Sequence, residues 1–105
     1  MADTITISNG VIEIIPNAAG ISNFNITTYF ANGVRLKGIH FLGSAASDVI
    51  KVRDKSGTGT YLVSKLGNED SFSFQGKGID CFPYILATDC TLGTPANCVI
   101  SLYYA

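Results

Sequence analysis

Thr4-Ile5-Thr6-Ile7-Ser8-Asn9-Gly10-Val11-Ile12-Glu13-Ile14-Ile15 sets two short runs of β-branched residues on either side of Asn-Gly, and Pro16 stops the second run. β-Branched side chains are stiff at χ1 and pack well on a pleated surface. Asn-Gly between two such runs is a strong short-range hairpin signal. The stretch therefore predicts a hairpin, and the same grammar repeats along the chain.

Asn17 to Asn23 is a loop, and Asn25 to Phe30 is expected as a third strand before a second Asn-Gly at Asn32-Gly33. Val34 to Leu42 is the longest run. Its polar and apolar parity switches near Gly38, which predicts a β-bulge or a change of sheet partner. Asp48 to Arg53 alternates, with Ile50 and Val52 inward and Lys51 and Arg53 outward. Asp54 to Gly59 is an exposed turn, Thr60 to Ser64 pairs back, and Gly67 to Asp70 turns again. Ser71 to Gln75 sets Phe72 and Phe74 on one face. Ile79 to Thr88 holds a further strand, in which Pro83 argues for an edge position or a bulge. Cys98 to Tyr104 is the last strand.

No run has the length or period of a helix. These signals predict one all-β domain over residues 1–105, a β-sandwich or jelly roll of about eight or nine short antiparallel strands. The longer loops at 17–23 and 91–97 alternate with tight hairpins, which favours the jelly roll over an open barrel.

Composition narrows the function classes. Apolar residues make up 47% of the chain and charged residues 14%, against about 25% charged in an average domain. The surface must then be coated largely by Ser, Thr, Asn and Gly, which lose water to a partner more easily than Lys and Glu. An oligomer or docked subunit is expected. Seven basic and eight acidic residues give a net charge of −1, without the basic surplus of a nucleic-acid binder or a polybasic membrane patch. Met1-Ala2-Asp3-Thr4-Ile5 shows no secretion signal. Synthesis in the cytoplasm followed by incorporation into a particle is the expectation.

Cys81, Cys90 and Cys98 are odd in number and spaced nine and eight residues apart, unlike CxxC zinc sites. Free thiols are expected, with Cys90–Cys98 the alternative bridge across the base of the 91–97 loop.

The sequence assigns no catalytic, cofactor-binding or metal-ligating residue. His40 lies mid-strand between Ile39 and Phe41, with no Ser or Cys in a nucleophile motif. Asp48, Asp54, Glu69, Asp70, Asp80 and Asp89 nearly all fall at strand ends or turns, where a carboxylate caps turn amides. Ser56-Gly57-Thr58-Gly59-Thr60 matches a phosphate loop in composition alone, because it sits in a hairpin turn and not before a helix. Lys51, Arg53 and Lys55 read as a solvated strand face able to meet an acidic partner. Asn25-Ile26-Thr27 is a chance glycosylation match. Among the aromatics (Phe30, Phe41, Phe82, Tyr84, Tyr103 and Tyr104), the adjacent Tyr103 and Tyr104 must face opposite sides of their strand, one to the core and one outward.

The central stretch carries a resemblance. Leu36-Lys37-Gly38-Ile39-His40-Phe41-Leu42-Gly43-Ser44-Ala45-Ala46-Ser47-Asp48-Val49-Ile50-Lys51-Val52-Arg53-Asp54 resembles a "GIxFxGSAAxDxIxVxD" pattern in small structural proteins of tailed bacteriophages. The apolar strand after the turn (Gly59 to Val63), the Asp70 to Phe74 run and the strand Val99 to Tyr104 extend the likeness over residues 34 to 104. The resemblance implies a jelly roll that assembles as a trimer on the virion, a capsid cement or decoration protein whose partner is the major capsid protein. It carries over no individual functional residue. Residues 2–15 lie outside it and read as a hairpin or an arm able to add a strand to a neighbour. The alternative function is a carbohydrate-binding module of a phage tail or fibre, using exposed aromatics as stacking platforms.

Overall fold

The computed structural model describes residues 2–105, which form ten strands and three single 3-10 turns. The strands are β1 (Thr4–Ser8), β2 (Val11–Ile15), β3 (Phe24–Asn25), β4 (Val34–Leu42), β5 (Val49–Asp54), β6 (Tyr61–Gly67), β7 (Asp70–Ser73), β8 (Ile79–Cys81), β9 (Pro83–Ile85) and β10 (Val99–Tyr104). They build two antiparallel sheets. The first runs β1-β2-β10-β4-β7, with β8 also on β4, and the second runs β3-β9-β5-β6.

The pairing is nested. β5 pairs β6 in the second sheet, β4 pairs β7 in the first, β3 pairs β9 in the second, and β2 pairs β10 in the first. A long double strand that folds back and forth between two sheets in this way is a jelly roll. The expected β-sandwich is thus what forms, and the barrel is not. Ile12 and Ile14 from β2, Ile39 and Phe41 from β4, and Ile100 and Leu102 from β10 meet Ile50, Val52 and Ile85 of the second sheet in one buried core.

The hairpin β1–β2 closes on Asn9-Gly10, with Ser8 opposite Val11. Gly10 supplies the positive φ of +81° that the tight turn needs. In β4 the parity switch is a bulge. Tyr103 faces Gly38 while Tyr104 faces Leu36, so one extra β4 residue, Lys37, is accommodated. The strand also changes partner there, pairing β8 over Val34 to Leu36 and β7 over Gly38 to Phe41.

Two expected strands come out differently. The third is only Phe24–Asn25, because Ile26–Thr28 turns into a 3-10 helix. The Asn25 Oδ1 accepts hydrogen bonds from the Thr27 amide at 3.0 Å and the Thr27 hydroxyl at 2.8 Å, which favours the turn over an extended strand. The same bonds give Asn25 and Thr27 a structural role. The run Ile79 to Thr88 splits at Phe82 into β8 in the first sheet and β9 in the second. Pro83 opens β9, which lies between β3 and β5 and is not an edge strand. A proline fits there because the first residue of a strand can forgo its ladder donor. Asp54 fixes the crossing: its Oδ1 accepts from the Phe82 amide at 2.8 Å, and the Lys55 amide donates to the Phe82 carbonyl at 2.8 Å.

Candidate interaction surface

Asp48, Asp89 and Arg53 are held in structural hydrogen bonds. Asp48 is 2% exposed. It accepts from the Ser44 amide at 2.7 Å, the Ser44 hydroxyl at 2.6 Å, the Ala45 amide at 3.2 Å and the Gly93 amide at 2.8 Å. The Cys98 thiol donates to it at 3.6 Å. These bonds outweigh burial and hold its pKa down to about 2. The Ser44 hydroxyl accepts from the Thr94 amide at 2.8 Å, and Asn68 ties in Gly43 at 2.8 Å. The Asp48 carboxylate thereby ties the 43–48 and 91–98 loops together at one end of the sandwich, and Asn68 joins the β6–β7 turn to the first of them.

Asp89 and Arg53 form an ion pair at 2.7 Å, with side chains 11% and 17% exposed. The Arg53 hydrogen bond holds Asp89 below the usual carboxylate range. Arg53 also donates to the Gly59 carbonyl at 3.0 Å and the Tyr61 hydroxyl at 2.7 Å, and its guanidinium lies 4.2 Å from the Tyr61 ring centre. The expected solvated cluster of Lys51, Arg53 and Lys55 is therefore corrected. Arg53 is engaged within its own chain, and Lys51 is drawn over the same ring at 5.6 Å. Asp80 pairs with Arg35 at 3.0 Å on the exposed β4–β8 ladder.

His40 stands beside Ser101 and Ser71 on neighbouring strands, with Glu69 3.9 Å away. Serine hydroxyls flank the imidazole, but no buried carboxylate orients it. Cys81, Cys90 and Cys98 are free thiols. Burial pushes Cys81 and Cys90 up to about 11, away from thiolate chemistry. Among the described residues, no group of three or more His, Cys, Asp or Glu gathers at metal-ligating distance. The Ser56 to Thr60 segment is the β5–β6 turn, closed by the Gly59 amide on the Ser56 carbonyl at 3.0 Å.

What stands out is the outer face of the first sheet. One row crosses it as Thr6, Glu13, Ser101, His40 and Ser71, and the next as Ser8, Val11, Tyr103, Gly38 and Ser73. Thr4 pairs Ile15, and Val99 pairs Leu42, on the same side. Five strands at about 4.8 Å spacing make this face roughly 20 Å wide. Within these rows the one carboxylate is Glu13 and the one imidazole is His40. Tyr103 and Leu42 are 42% and 39% exposed on this face. Tyr104 turns the other way, as adjacent strand residues must. It packs on Phe30 with ring centres 5.3 Å apart, and its hydroxyl donates to the Ser8 carbonyl at 3.1 Å.

The other exposed tyrosines lie elsewhere. Tyr61 sits on the second sheet under Arg53, and Tyr29 stacks on Phe24 at 5.9 Å. They do not form adjacent rings with Tyr103 on one surface. Composition hinted at an uncharged coat, but only the strand order shows which of its residues share the outer face of the first sheet. Comparison of the chain with family models, curated proteins and solved structures finds no match.

Proposed function

We propose that this chain is a non-enzymatic structural subunit of a virion, a capsid cement protein that assembles as a trimer and bridges neighbouring capsid subunits. The observation that carries the reading is the part of the first sheet's outer face spanned by β1, β2, β10, β4 and β7, where the exposed Tyr103 and Leu42 stand among Ser and Thr residues, the ionisable side chains are Glu13 and His40 with Glu69 beside it, and the Arg35–Asp80 pair lies at the β8 end. Ser, Thr, Val and Tyr side chains give up water more cheaply than Lys or Glu and pack closely. The resemblance over residues 34 to 104 supplies the virion context. The mechanism is passive: a subunit that binds the assembled shell and not its separated parts stabilises the assembly by mass action, and many copies on a repeating lattice add avidity.

Native mass spectrometry tests the assembly. The expected species has three times the 11.1 kDa chain mass. The Leu42→Glu, Tyr103→Glu double variant, which places two charges on the face, should reduce it to monomer. A wild-type chain that is monomeric alone and fails to co-sediment with virion shells would overturn the reading.

A further inference from the structure

We infer that β1 is a pairing edge for a second copy of this chain, joined about a two-fold axis through Thr6. This inference goes beyond the virion reading and does not depend on it.

The two sides of the sandwich differ. On one side β6 and β7 come together. On the other, β1 and the segment around β3 leave a cleft of about 270 Å³ lined by Ile5, Ser22, Phe24 and Tyr29 among others. Sheet edges invite pairing, and proteins ordinarily blunt them with short strands, charges, prolines or bulges. Three of the edges here are blunted. β3 is two residues long before a 3-10 turn, β6 carries Lys65, and the β7/β8 edge is made of short strands bearing Asp70 and Asp80. β1 is Thr-Ile-Thr-Ile-Ser, five residues with no charge, proline or bulge.

The backbone orientation follows from one hydrogen bond. The Tyr104 amide donates to the Gly10 carbonyl at 2.9 Å, so Gly10 faces β10. Main-chain groups alternate sides along a strand. Val11 and Glu13 therefore face β1 and bond Ser8 and Thr6, their register partners. The amides and carbonyls of Ile5 and Ile7 then point off the free edge. Ile7 is 40% exposed, although it shares the inward side with Ile12, which is fully buried.

The occupant follows from the order of residues. Thr4-Ile5-Thr6-Ile7-Ser8 reads nearly the same in both directions. An antiparallel pairing centred on Thr6 sets Ile5 opposite Ile7 of the second copy, and Ile7 opposite its Ile5. These are the residues whose main-chain groups are free, so both pairs can form the doubly hydrogen-bonded kind. Thr6 meets Thr6 in the closer, non-bonded position, a favourable cross-strand pair. Thr4 meets Ser8. The isoleucines of both copies lie on the inner side, where they cover one another and the mouth of the cleft. No like charges meet at the axis, and the interface is isologous, as two-fold symmetry requires. The outer faces of both sheets stay free for other contacts.

A single strand pair is a small interface of the weak, transient class, so the test runs at about 0.5 mM chain. Sedimentation equilibrium should show a concentration-dependent doubling of mass, to twice 11.1 kDa where the chain is otherwise a monomer and to twice the trimer mass where the proposed trimer forms. The Ile7→Pro variant removes an outward amide without costing a β1–β2 bond, and should lose that doubling while keeping the wild-type circular dichroism spectrum. Thr6→Lys, a surface change that sets two cations on the axis, should do the same and serves if the proline variant does not fold. Under mild oxidation Thr6→Cys should cross-link to a dimer and Ser8→Cys should not, with wild type as the control for the native thiols. A wild-type monomer at this concentration overturns the inference, as does a dimer untouched by both Ile7→Pro and Thr6→Lys. A trimer insensitive to both variants overturns it while leaving the proposed function standing.

Discussion

Asp48, within the sequence pattern Gly-Ser-Ala-Ala-Ser-Asp, is the residue on which one end of the sandwich depends. Its carboxylate takes four donors from Ser44, Ala45 and Gly93, and a thiol from Cys98. Asp48→Ala would leave buried amides without partners and should cost on the order of 3 kcal/mol in urea unfolding at neutral pH. The pH dependence has a definite sign. The folded pKa, about 2, lies below the ordinary 3.8, so the stabilisation is complete above that ordinary value and is lost as pH falls from 3.8 towards about 2. Asp48→Asn should flatten the stability curve in that acid window, as followed by thermal melts at stepped pH. A variant whose acid limb matches wild type would show that other carboxylates dominate. Arg53 behaves as a second anchor. Removing it in Arg53→Ala leaves Asp89, 11% exposed at its side chain, without its partner, and should lower the urea midpoint of unfolding. The double change with Asp89→Ala should cost less than the two single losses together. Sequence placed Asp48 at a turn and Arg53 on an outward strand position. Their partners at Gly93 and Asp89 are far along the chain, so neither role could be read locally.

At the scale of elements, the strands followed from β-branched alternation and from turn residues. The β1–β2 hairpin, the outward Lys51 and Arg53 positions, and the opposed Tyr103 and Tyr104 are all local consequences of a two-residue period. The β5–β6 turn adds a sharper requirement. A Cβ built on Gly59 would lie 1.7 Å from the Asp54 carbonyl oxygen, inside any allowed contact. Gly59→Ala should therefore open the turn and lower the melting temperature by about 10 °C or more, from a strain cost of several kcal/mol. The strand ends were less legible. Asn25 ends β3 early because its side chain bonds Thr27, and Phe82-Pro83 carries the chain from one sheet to the other because Asp54 and Lys55 hold the Phe82 main chain. The parity switch at Gly38 was visible in the sequence, but the change of partner from β8 to β7 that accompanies it depends on chain some forty residues away.

For the whole molecule, the nested pairing buries all the long aliphatic side chains of β2, β4, β5 and β10 that face inward, along with Cys81 and Cys98. Thiol labelling at pH 8 should accordingly be slow for all three cysteines in the native state and complete in denaturant. Burial shields the sulfurs and raises the Cys81 and Cys90 pKa to about 11. Fast native labelling of Cys90 or Cys98 would mean that the 87–98 region opens, and fast labelling of Cys81 that β8 does. The amino-acid order alone determined that the chain is all-β, where most strands start and turn, and that its coat is sparsely charged, because periodicity, turn chemistry and composition are properties of neighbouring residues. Tertiary structure decided which residues of that coat share the outer face of the first sheet, which ionisable groups are consumed as anchors, and which edge is left bare. Those outcomes depend on strands brought together from distant parts of the chain, as when β2 meets β10 and β3 meets β9.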